Sequence, residues 1–334
     1  MNQAQHIQKH LFQHIREQIP THLSLVDEIS DLLHISADST YRRIRGEKQL
    51  TLDELVKLCE HFQLSLDVFL RSPKDSIPFS HVKVDASNFQ VDSYLDFAME
   101  RASMLSMQQD VEMIIIANDL TIFQLLQVPE LAAFKLFFWQ KSSLGFPDLK
   151  HTRFSLDAIN SKLLEKGKAI VKEYVKVPSI EIVGIEAVNS FLRQIKYYLD
   201  LGYFERQEDA VHICDKLIEL VRHFHRETDH GFKFPYNTSP LGKPGNFTMY
   251  YNELFVIDGI VLMRMGDTRM TYIGTGPLNF VHTLDRDFYE SKYGWAQNLM
   301  SKSILLSGIS EKERNKFFLR IEDSVRGFRD EIGK

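Results

Sequence analysis

Four cations crowd the stretch between Ser36 and Lys48: Arg42, Arg43, Arg45 and Lys48 itself. Side chains of these two types do one chemistry well. They pair with phosphate oxygens, and a guanidinium can also grip guanine O6 and N7 as two parallel acceptors. Asp38 and Glu47 lie in the same stretch, so four cations face two carboxylates, a local balance of +2. That balance is modest. It predicts weak contact with a polyanion from one copy of the chain and useful affinity only when two copies pair. The net charge of -5 excludes an indiscriminate polyanion binder, but a specific one needs only a basic docking face.

Other constellations carry less. His6, His10 and His14 fall at i, i+4 and i+8, a spacing that can place two imidazoles on one metal. No cysteine or carboxylate matches that spacing, so a solvated or phosphate-touching face is expected instead. His223, His225 and His230 cluster near Glu227 and Asp229 and are expected to act at a helix end, against the C-terminal dipole. Leu241-Gly242-Lys243 lacks both the earlier glycine and the following Ser or Thr of a phosphate-binding loop. Gly274-Thr275-Gly276 runs into Pro277 and lacks a third glycine, and neither a G-x-S-x-G nor an H-E-x-x-H motif is present. Asp258 reads as a turn former, Asp285 and Asp287 as first-turn helix residues. The expectation is a non-enzyme with no cofactor and no metal.

Helices must position the arginines. Over 24–33, Leu25, Ile29, Leu32 and Leu33 recur at the spacing of one buried helical face. Ser36 can cap a second helix over 37–45, which is mostly polar: only Thr40, Tyr41 and Ile44 are suited to face inward, and Gly46 stops it. Thr51 caps a third, with Leu52, Leu55, Val56, Leu58 and Cys59 as its apolar stripe, and Phe62, Leu64, Leu66, Val68 and Phe69 close the segment. A preceding helix over 5–19 has Ile7, Leu11, Phe12, Ile15 and Ile19 as its stripe and ends at Pro20.

Taken together, Ile29, Ile35-Ser36, Arg43-Ile44-Arg45-Gly46, Leu52-Asp53-Glu54-Leu55 and Leu64-Ser65-Leu66-Asp67 form a pattern that resembles the phage-repressor (Cro/repressor, or XRE) helix-turn-helix family over roughly the first seventy residues. Two points depart from it. The family often has a glutamate between the isoleucine and the arginine before the glycine, which Ile44-Arg45-Gly46 lacks, and often a proline in the next loop, which here is Glu47-Lys48-Gln49-Leu50. The resemblance implies a five-helix-type, all-α DNA-binding domain over 1–72. Its second helix would enter the major groove with N-terminal residues at base edges. Ala37, Asp38, Ser39, Tyr41 and Arg42 are then the base-reading candidates, with Arg42 on guanine and Ala37 on a thymine methyl. Arg43, Arg45, Lys48 and the cap Ser24 are the phosphate candidates, which position without specifying.

A linker is expected over 73–90, where Pro73, Pro78, Ser76 and Ser80 interrupt any period, and a C-terminal α+β domain over 91–334. Residues 91–226 read as helical, and a tetratricopeptide-like array stays open. Within them, 111–117 is an apolar run, either a strand or the start of a buried helix, and 122–139 is apolar all round and divided by Pro129. After a Gly- and Pro-rich loop over 231–245 the period turns to β, over 247–251, 254–257, 260–262 and 268–273. Hairpin signals at Asp258-Gly259 and Gly266-Asp267 make this a small antiparallel meander. Helices resume at Asp285 and at Ser310, where Glu313 stands at capping-box spacing. The chain is thus expected to be mainly α, α+β overall.

The two cysteines, Cys59 and Cys214, give no disulfide framework, no apolar run is long enough for a membrane, and the N-terminus is not a signal peptide. Together with the helix-turn-helix resemblance, these features make a cytoplasmic, homodimeric, sequence-specific transcriptional regulator of double-stranded DNA the expectation. Its C-terminal domain serves effector sensing or dimerisation, with a small molecule or a peptide as the effector. The aromatic stretch around Phe134 and Trp139 and the last helix are the expected dimer surfaces. An antitoxin-like interaction module and a DNA-targeted enzyme are the alternatives.

Overall fold

The computed structural model describes residues 3–19, 24–62, 64, 66, 77–81, 84–108, 110–117, 119–253, 259–276 and 278–334. The chain divides into two compact units, Met1–Pro78 and Phe79–Lys334.

Four helices are described in the first unit: α1 (Gln3–Gln18), α2 (Leu25–Leu33), α3 (Ala37–Ile44) and α4 (Leu52–His61). Local chemistry sets their starts. Ser24 and Ser36 each accept a backbone N–H of the first turn, and Thr51 and Glu54 close a reciprocal capping box on α4. Leu11, Phe12, Ile15, Leu25, Ile29, Leu33 and Leu58 make the core. Between α2 and α3 the chain turns at His34 in the left-handed region, φ 55° and ψ 47°. A non-glycine residue there is strained. Pro20, the closing residues Val68 and Phe69 and part of the expected linker lie outside the described residues.

The second unit is built on one eight-stranded mixed sheet among the described residues. Its strands are β1 (Ser80–His81), β2 (Val111–Ala117), β3 (Ser179–Val183), β4 (Phe247–Tyr251), β5 (Ile260–Met265), β6 (Thr268–Gly274), β7 (Phe280–Thr283) and β8 (Ile304–Leu305), in the order β1-β7-β6-β5-β2-β3-β4-β8. The strands β2, β3 and β4 run parallel, and every other pairing is antiparallel. Helices α6 (Ile122–Leu125), α7 (Pro129–Phe138) and α8 (Ser161–Tyr174) connect β2 to β3. Helices α9 (Glu186–Asp200) and α10 (Gln207–His230) connect β3 to β4. Helix α5 (Val91–Ser106) precedes β2, α11 (Arg286–Ser301) follows β7, and α12 (Glu311–Ile332) packs on α10. Alternation sorts the two faces: Ile114, Ile116 and Ile182 meet Tyr289 and Ala296 of α11, while Phe247, Met249 and Tyr251 join the larger helical core.

Several expectations change here. The strands are not a small meander: β5, β6 and β7 extend a sheet that also holds the parallel strands β2, β3 and β4, and the run 111–117 is its strand β2. The helices of 91–226 cover that sheet and do not stack as a tetratricopeptide-like array. Residues 80–81 pair with β7 and Phe89 is buried, so the second unit starts before residue 91. Gly266-Asp267 is a two-residue β5–β6 turn with positive φ at Gly266, whereas the Asp258 hairpin and the strand over 254–257 lie outside the described residues. Phe134 is fully buried against Phe154, Phe191, Tyr198 and Phe204, and Trp139 is also buried. On α12, Phe317, Phe318, Ile321 and Val325 are buried as well. The aromatic stretch around Phe134 and the inward face of α12 are therefore core, because those side chains already have partners within the unit, while Leu319 of α12 is exposed.

Candidate nucleic-acid interface

Helix α3 is one of the shorter helices of the first unit, and its residues divide by face. Thr40 and Arg43 are buried and Ile44 packs on the core, whereas Ala37, Asp38, Tyr41, Arg42 and, just past its end, Arg45 are exposed. The exposed positions are i, i+1, i+4, i+5 and i+8, one continuous helical face. That face offers a methyl, a carboxylate, a phenol and two guanidinium groups. The methyl can meet a thymine methyl, the carboxylate can accept from cytosine N4, and the phenol and guanidinium groups can bond base edges or phosphate. Tyr41, half exposed, belongs to this face and not to the core. Ser39 is partly buried, its hydroxyl accepting from Arg43 Nη1 at 2.6 Å. Ser24 and Lys48 are both exposed.

Arg43 departs from its expected role. Its Nε and Nη2 donate to the two Glu54 carboxylate oxygens at 3.0 and 2.6 Å, and Nη1 also donates to Ser39 O at 3.2 Å. The guanidinium is 3% exposed, so it cannot reach a phosphate in this state. The bonds from Arg43 hold the Glu54 carboxyl below its ordinary value, against the desolvation that raises it. Arg43 therefore ties α3 to the N-terminus of α4. Arg45 instead pairs with Glu47 at 3.0 Å with both side chains half exposed, a pair worth little and easily exchanged for a phosphate.

Sequence reasoning passed over two positioning residues. Glu54 read only as part of the family pattern, though the capping box it forms with Thr51 was a local signal. Gln8 of α1 is the other. Its Nε2 donates to Arg43 O and Lys48 O at 2.7 and 2.8 Å, and its Oε1 accepts from Leu50 N–H at 3.0 Å. One buried amide thus satisfies carbonyls at the end of α3 and fixes the loop carrying Glu47 and Lys48. No local pattern marks a glutamine for that task.

The histidine sets are dispersed. His6 and His10 are exposed on α1. Helix α10 runs on to His230, so His223 is interior: its Nε2 donates to Phe234 O at 2.9 Å and lies 3.3 Å from Glu227. His225 stacks on Phe318. Among the described residues, no three His, Cys, Asp or Glu side chains converge in a way that could hold a metal ion. No described helix is long and apolar enough to cross a membrane. Comparison of the chain with protein-family models, curated proteins and solved structures returned no match.

Proposed function

We propose that this protein is a sequence-specific DNA-binding transcriptional regulator. In this reading the first unit reads the major groove through α3, and the second unit senses an effector or pairs two copies. The observation that carries it is the division of α3: a short helix anchored by Thr40 to Ser30 of α2 and by Arg43 to Glu54 of α4, whose outer face, from Ala37 to Arg42, is polar or small and exposed. A rigid helix held by buried Thr40 and Arg43 keeps such a face fixed, and fixed geometry is what base-edge recognition requires. Within this reading Ala37, Asp38, Tyr41 and Arg42 face the bases. Ser24, Arg45 and Lys48 contact phosphates. Arg43 and Ser39 hold the helix in place. The helix-turn-helix resemblance of the first unit supports the same assignment, and paired copies would supply the affinity that a local balance of +2 does not.

Binding of the full chain to DNA from its own upstream region, measured at two salt concentrations, tests this. Arg42→Ala is expected to cost about 1–3 kcal/mol on the cognate site and little on random DNA. An equal loss on both would make Arg42 a phosphate contact, and absence of salt-sensitive binding by the wild type would defeat the reading.

A further inference from the structure

The second unit contains a buried polar cluster that DNA recognition does not use. Glu181, at the centre of β3, points toward the helical layer and is 2% exposed. Its Oε2 accepts from Gln124 Nε2 at 2.8 Å and its Oε1 from Tyr174 OH at 3.1 Å. Lys233, also buried, donates to Ser179 Oγ at 2.8 Å and lies 4.2 Å from the centre of the Tyr174 ring. Glu227 is buried as well and accepts from Phe234 N–H at 2.9 Å. The Lys233 ammonium feels both interior carboxylates through space, and Glu227 also lies 3.3 Å from His223. Burial pushes the Glu181 carboxyl up and the Lys233 ammonium down to about 8, although Glu181 and Glu227 oppose the latter shift.

A cavity of about 40 Å³ adjoins Glu181 at the carboxyl ends of β2 and β3. In open sheets with parallel strands this is where ligands bind. Asp119, Gln124 and Glu181 supply polar lining, Val188, Phe224 and Phe318 apolar lining, and none of the described lining residues is cationic. Lys135 neutralises Asp119 across 2.5 Å from outside the lining. Glu181, bonded by Gln124, Tyr174 and Ser179, is then the lining carboxylate without a bonded cation among the described contacts. One water needs roughly 10–15 Å³, so the space suits a ligand of only a few non-hydrogen atoms.

We propose that this cavity binds a small aliphatic ammonium ion, with Glu181 as its anionic partner and Phe224 and Phe318 around its hydrocarbon part. Such a ligand sets a positive charge beside Glu181, and its short chain fills apolar space that water fills poorly. That it acts as an effector rests on the regulator reading, but the binding itself does not.

The test is thermal unfolding of the full chain with propylamine, 1-propanol or propionate, followed by tryptophan fluorescence. Both tryptophans, Trp139 and Trp295, lie in the second unit. Propylamine is expected to raise the midpoint, increasingly with concentration, while the neutral and anionic analogues leave it unchanged. Glu181→Gln is expected to weaken the amine by about tenfold or more, and Val188→Phe, which fills the cavity without altering charge, to abolish the shift. Equal shifts from amine and alcohol, no shift from the amine, or a shift that survives Val188→Phe overturns the proposal. DNA binding is measured in parallel. Loss of the amine shift with DNA binding intact defeats the site alone, and the reverse result defeats the regulator reading alone.

Discussion

Replacing Arg43 by alanine separates a DNA contact from a structural tie. The side chain makes two bonds to Glu54 and two to Ser39, and the paired groups are 3% and 16% exposed. A hydrogen bond to a charged group contributes about 1.5–3 kcal/mol, and breaking a fully buried pair costs about 3–5 kcal/mol. Glu54 keeps its bond from Thr51 N–H and some contact with water, so the loss should lie near the lower range, about 2–3 kcal/mol. The first unit has no tryptophan, so native-state hydrogen exchange of the full chain over α2, α3 and α4 is the suitable assay. The acid side gives a second reading. The folded value of Glu54 lies below its ordinary 4.5, so the pair's contribution is complete above 4.5 and is lost as pH falls through the lower folded value. In Arg43→Ala that acid-dependent loss should shrink to what the Thr51 N–H bond and nearby Lys48 sustain. A variant with unchanged exchange protection but lost DNA affinity would refute this reasoning and restore Arg43 as a phosphate contact.

Two further substitutions follow from the same geometry. His34→Gly removes a left-handed strain while keeping the backbone bond to Ser30 O, and the side chain it deletes is exposed; it should stabilise the first unit by about 0.5–1 kcal/mol, read as slower exchange in α2 and α3. Phe134→Ala empties the centre of an aromatic cluster and should cost the second unit about 3–5 kcal/mol in urea unfolding followed by tryptophan fluorescence. A variant that kept full stability but altered the oligomeric state would return Phe134 to a dimer surface.

The residues that start helices were legible in the sequence. Ser24, Ser36 and Thr51 act within three residues of themselves, so spacing along the chain carries the whole signal. The exposed face of α3 was legible for the same reason: a polar helix has few side chains fit for a core. The central strand β3 was not. It is five residues long and carries Glu181 in its middle, and its parallel partners β2 and β4 lie far off in the chain, joined through helices. A carboxylate there is tolerable only because Gln124, Tyr174 and Ser179 converge on it, which no local period can announce.

The arginines show the division most plainly. Sequence alone determined that Arg42, Arg43 and Arg45 stand together at the end of a capped helix, since backbone capping and helical period are local properties. Only the tertiary structure decided which of them faces solvent. Arg42 and Arg43 are neighbours, yet a helix turns successive side chains by about 100°, and Glu54 on the next helix takes the one that turns inward. A partner brought close by folding, not a spacing along the chain, assigns one guanidinium to the core and leaves the next free to meet another molecule.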